Sequence, residues 1–182
     1  MCRATARLSV LFFESTSSPK LARSTRVELG GVACMTIVSA NFSFLAKHDE
    51  QLFRHAALAE RYFPDDPNTS LIKVRQFAEL LAQIVAASTA RFESQEEKFV
   101  DLLRRLSLDR AVPRQVVDLF HQLRKSGNAA AHDGADDHRQ ALAALKIARQ
   151  LGIWFHRTYR NEPQFKPGPF IPPSPPEDAT AA

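Results

Sequence analysis

"NTSLIKVRQFAELLAQIVA", residues 68–86, is the most regular stretch of the chain. Leu71, Val74, Ala78, Leu81 and Val85 follow one another at intervals of three and four. On a 3.6-residue period that spacing puts all five on one stripe, so the segment reads as a long amphipathic helix. A stripe this long has to be covered, and the sequence on either side supplies the covering elements.

Upstream, "HDEQLFRHAALAERYF" (48–63) aligns Leu52, Ala56, Ala59 and Phe63, with Asp49 placed to cap a helix N-terminus. "PDDPN" (64–68) separates the two helices, two prolines and three cap-type residues making a turn. Downstream, Ser94 followed by Glu97 has the spacing of a capping box, which predicts a third helix with Phe99, Leu102, Leu103 and Leu106 inward. A fourth begins near Pro113 and carries Val116, Val117, Phe120 and Leu123. A fifth runs from about Asp136 to Tyr159, with Leu142, Leu145, Leu151 and Phe155 inward. No segment alternates with period two. The expected fold is all-α, a single antiparallel helical bundle over residues 41–160.

The ends lack this pattern. Seven of the eleven prolines lie between Pro163 and Pro176, so residues 161–182 read as an extended, polyproline-like linker or tail. Residues 1–40 are rich in Ser, Thr and Arg, and read as a disordered extension. Residues 1–34 look like an over-extended gene start, with Met35 the expected initiator. Both cysteines, Cys2 and Cys34, fall in that extension, so no disulfide is expected in the bundle, in keeping with a cytoplasmic location. No run is long and apolar enough to span a membrane. The net charge of +4 is spread thinly: residues 41–160 hold 18 basic against 15 acidic side chains. That balance does not announce a nucleic-acid groove, although a local patch at Arg124 and Lys125 is a candidate contact with nucleic acid.

Three constellations compete for chemistry. "HDGADDH" (132–138) gathers His132, Asp133, Asp136, Asp137 and His138, the residue types of a metal site. Their position across a glycine-containing turn favours Asp136 as the cap of the last helix, with Asp137 complementing its positive end, and neither metal nor cofactor is expected. Pro64-Asp65 with Glu96-Glu97-Lys98 superficially matches a nuclease signature, but that chemistry needs adjacent strands, which the pattern does not supply. The third is "LRKSGNAAAH" (123–132). Asn128 and His132 are four apart and share a face if the helix continues, with Arg124 one turn earlier. A histidine within reach of an amide and a cation suits general acid–base cleavage of a phosphodiester, which makes Arg124, Asn128 and His132 the candidate catalytic residues. The structural alternative is that Gly127 lets helices pack closely while Asn128 and His132 serve backbone groups.

"YFPDDPNTSLIKVRQFAE", "GNAAAH" and "LGIWFH", with "FKPGPFIPP" near the end, together resemble one family over residues 41–176. It is the helical domain of unknown function at the N-terminus of restriction subunits of type I restriction–modification enzymes. That domain in turn resembles the HEPN helical bundles, whose active members are ribonucleases and toxins using an arginine followed, a few residues on, by histidine. Asn128 and His132 match that motif, whereas Gly127 stands in the arginine's place and Arg124 lies eight positions before His132. The resemblance therefore implies a module that is non-enzymatic on its own. Its expected partners are other domains or subunits of a restriction complex, DNA through that complex, and a second copy of the chain. In restriction subunits a nuclease and an ATP-driven motor follow this domain, so the chain is expected to be a fragment of a longer protein.

Overall fold

The computed structural model describes residues 37–133, 137–159 and 162–173. The two cysteines, Met35, Asp136 and the side chains of His132 and Asp133 lie outside the described residues. A short 3-10 helix (Ser43–Lys47) precedes α1 (Glu50–Tyr62), α2 (Pro67–Ser88), α3 (Phe99–Leu108), α4 (Arg114–Asp133) and α5 (His138–Tyr159). The architecture is all-helical as expected, and no strand occurs among the described residues. None of these helices is long and apolar enough to cross a membrane.

Local chemistry sets the first hairpin. Asp49 accepts a hydrogen bond from the Leu52 amide at 2.7 Å and starts α1. Four residues later than the end of α1, Asp66 accepts from the Thr69 amide at 2.8 Å, and Pro67 occupies the first position of α2. The Thr69 side chain first, and its amide second, hold the Asp66 carboxyl below the usual range. Ser70 Oγ, fully buried, donates to the Ala59 carbonyl at 2.8 Å and stitches the two helices together. With so short a turn between packed neighbours, α1 and α2 run antiparallel.

α2 is the hub. It packs against α1, α3, α4 and α5, and its five stripe residues are all buried. Phe77 meets Phe42 from the segment before the 3-10 helix at 6.0 Å between ring centroids, and Phe99 of α3 stands edge-on to Phe120 of α4. In α5, Leu145, Leu151 and Phe155 are buried as the sequence predicts. Leu142 is only half-buried, because Ala141 takes the inward position one residue earlier.

Two helix starts differ from expectation. Ser94 Oγ accepts from the Glu96 amide at 3.1 Å, which closes a local turn, and Glu97 turns its carboxylate to Arg105 Nε at 3.2 Å. The capping-box pair is thus occupied elsewhere, and α3 begins only at Phe99. At α5 the cap is Asp137, whose Oδ1 accepts from the Gln140 amide at 3.0 Å. α2 and α3 end alike: Ala90 and Arg110 take the left-handed conformation, and the following amides return to the Ala86 and Leu106 carbonyls.

The segment 162–173 opens with a turn, closed by the Phe165 amide on the Glu162 carbonyl at 3.0 Å, continues without regular secondary structure and lies on the bundle. Asn41 joins it twice, its Nδ2 donating to the Ile171 carbonyl at 2.7 Å and its Oδ1 accepting from the Ile171 amide at 2.9 Å.

Gly127 sits inside α4, where a β-carbon would lie 2.4 Å from Cβ of Arg75 on α2. Gly127→Ala is therefore expected to destabilise. Overpacking costs about 1–3 kcal/mol, more than the roughly 0.5–1 kcal/mol that alanine gains over glycine in a helix. Gly152→Ala is the control: its nearest neighbours stand at 3.4 Å, so urea midpoints should hold or rise there and fall at 127. Ala90→Gly, relieving a left-handed alanine, should stabilise by about 1 kcal/mol.

Candidate functional site

The sequence places its candidate chemistry on α4, and the structure settles the backbone of that stretch. Pro113 offers its carbonyl to the amides of Val116 and Val117, and the helix then runs without a break to Asp133. Positions 124, 128 and 132 consequently follow one another at helical intervals along one side. Arg124 is half-buried, and its Nε is enclosed without a hydrogen-bond partner. Lys125 is exposed and Asn128 half-buried. Gly127 faces α2, and the stem of Arg75 fills the space in which a side chain at 127 would stand.

His121 belongs to this neighbourhood and was not singled out from the sequence. Burial pushes its imidazole below the usual histidine range, and the charges of Arg124 and Lys125 push it further in that direction. A neutral imidazole beside two cations is an arrangement that attracts an anion and can accept a proton. The available signal was its spacing of three from Arg124. A comparable set lies between α1 and α2, where a cleft of about 650 Å³ is lined by Arg54, His55 and Leu58 of α1 and Lys73 of α2 among others. His55 is lowered by burial first, then by Lys73 and Arg54.

Of the HDGADDH constellation only Asp137 and His138 have described side chains, and both have partners within the fold. His138 reaches the Pro64 carbonyl at 3.1 Å and stands edge-on to Phe63, while Asp137 caps α5. Among the described residues no group of three or more His, Cys, Asp or Glu is placed to hold a metal ion. Asp65 is exposed in the α1–α2 turn, and Glu96 lies in the turn before α3. Among the described residues no strand brings them together.

Two buried polar clusters were missed. Glu60 of α1 is 8% exposed and accepts from Ser39 Oγ and Asn41 Nδ2. Burial raises its carboxyl above the usual range, with those two donors and Arg149 opposing. The second cluster is a chain: His48 Nε2 lies 2.9 Å from His156 Nδ1, and His156 Nε2 lies 3.3 Å from Glu162 Oε2. In the neutral tautomer whose Nε2 donates to Glu162, His156 Nδ1 accepts from His48 Nε2, so each ring's tautomer depends on the other. Glu60 carries a faint signal, a charge beside the apolar stripe of α1. The His48–His156 pairing carries none, since 108 positions separate its members.

The family described as Domain of unknown function (DUF4145) matches residues 57–166. Over 136 residues the chain is 33% identical to the type I restriction enzyme EcoKI endonuclease subunit of Escherichia coli (strain K12). That match covers 74% of this chain and 11% of the subunit, so the chain spans about a ninth of its relative's length. No solved structure matches the chain.

The two depressed histidines give the bundle a pH dependence. Folded His55 and His121 bind fewer protons than their unfolded counterparts, so their contribution is intact above about pH 6.5 and is lost as pH falls through their lowered folded values. The melting temperature should drop between pH 7.5 and pH 5.5. A His55→Gln/His121→Gln variant should drop distinctly less; an equal drop would assign the acid sensitivity to other groups.

Proposed function

Since this chain belongs to the family of the Domain of unknown function (DUF4145), we propose that it is a non-catalytic interaction module of a type I restriction–modification system. It serves defence against foreign DNA in the cytoplasm by binding other domains or subunits of a restriction complex. One observation carries this reading: three-quarters of the chain aligns with a ninth of an endonuclease subunit. A piece of that size is what an accessory domain of a large machine contributes, and a bundle with its own core is well suited to present fixed surfaces.

The geometry on α4 supports the non-catalytic part. A ribonuclease of the HEPN kind places an arginine's charge beside the histidine from the same helix. Here Gly127 holds that place, and the Arg75 stem leaves no room for a larger residue there. The rival reading, an HEPN-like ribonuclease or toxin, draws support from the unbroken helix that sets Asn128 four positions before His132. Contact with DNA through Arg124 and Lys125 is compatible with either reading.

Affinity-tagged chain, co-expressed with the subunits of a type I complex from the same cells, should retain at least one of them through a 0.5 M salt wash, at about which ionic strength surface charge pairs are strongly screened. Purified chain should leave single-stranded RNA intact. RNA cleavage that disappears in His132→Ala, together with no retained subunit, would replace this reading with the ribonuclease.

A further inference from the structure

Residues 162–173 touch the bundle mainly through their own backbone. Arg157 donates from Nε and Nη2 to the Phe165 carbonyl at 3.0 and 2.8 Å, and Arg149 Nη2 donates to the carbonyls of Gly168 and Pro169. Asn41 pairs with both backbone groups of Ile171, as a neighbouring strand would. Three side chains add to this. Phe165 packs, tilted, against His156 at 4.2 Å and Phe44 at 5.2 Å between ring centroids, Lys146 lies over the Phe170 ring, and Glu162 meets His156.

Donors aimed at peptide carbonyls beside an aromatic wall are what an extended proline-rich segment needs, since it has few amides to offer and little conformational freedom to lose. Of this segment only Phe170 packs against the hydrophobic core, and only from its partly buried rim. Nor does the segment fill its seat. A cleft of about 390 Å³ remains between it and the bundle, bounded by Phe44, Arg149, Phe165 and Ile171 among others.

We propose that the groove between the 3-10 helix and α5 is a recognition site for an extended peptide bearing prolines and phenylalanine, held here in cis by residues 162–173. Its partner is a segment of that chemistry on another polypeptide, which binds when the resident segment is displaced. The recognition elements are Asn41, Arg149 and Arg157 for backbone, and Phe44 with His156 for an aromatic side chain. This inference rests on the groove alone and stands apart from the restriction reading.

The test uses the full chain with its resident segment weakened by Phe165→Ala and Ile171→Pro, the latter removing the amide that Asn41 accepts from. A fluorescent synthetic peptide of residues 162–173 is titrated by anisotropy, with helicity checked by circular dichroism. Saturable binding is expected, weaker by about tenfold or more with the unmodified chain, whose tethered segment competes at high effective concentration. A similar loss is expected when Arg149→Ala and Arg157→Ala are added to the weakened chain. Ile171→Pro alone serves if the double variant does not fold. No binding to a folded weakened chain, equal binding of a sequence-scrambled peptide, or indifference to the two arginines would each overturn the proposal.

Discussion

At Gly127 the backbone of α4 approaches α2 so closely that a β-carbon there would lie 2.4 Å from the β-carbon of Arg75. This contact fixes the spacing of the central helix pair, and the remaining elements are arranged around it. α1, α3 and α5 all pack against α2, and α3 and α5 also reach α4. Glycine inside a helix is unfavourable by roughly 0.5–1 kcal/mol relative to alanine, and burial along Leu71–Val85 and Val116–Ala130 offsets that cost. The same contact supports the non-catalytic reading proposed above, because it fills the place where an arginine next to Asn128 would have to stand.

What the sequence conveys well is periodicity. The stripe from Leu71 to Val85 and the inward faces of α3 and α4 are buried as their spacing predicts, since a regular helix turns spacing directly into direction. It conveys competition between side chains poorly. Ser94 and Glu97 have capping-box spacing, yet each finds another partner, and nothing in the local pattern foretells that Arg105 will claim Glu97. The candidate site divides in the same way. Phase along α4 aligns Arg124, Asn128 and position 132, while the surroundings of His121 depend on how deeply the helix is set.

Long-range polar pairing was illegible for a physical reason. Asn41 with Ile171 and His48 with His156 are separated by 130 and 108 positions, and no residue type or interval marks such partners in advance. Proline content suggests an extended chain after residue 161, but composition cannot say that Asn41, Arg149 and Arg157 would meet its carbonyls. Ser39, in the stretch read as a disordered extension, and Asn41, the first residue of the expected bundle, enclose the carboxylate of Glu60, and Asn41 also helps to seat that segment.

Two layers of stability follow from this arrangement. The bundle depends on α2 and should open as a unit, whereas the segment 162–173 is held by a handful of polar contacts at its rim and should open separately. Native-state hydrogen exchange resolves the two directly. The amides of Leu71–Val85 should exchange only through global unfolding, with a free energy that falls in parallel with the global one as urea is added. The Ile171 amide should exchange faster and respond weakly to urea. An Ile171 amide that exchanges together with the core, or an α2 that opens before α1 and α5, would contradict this account.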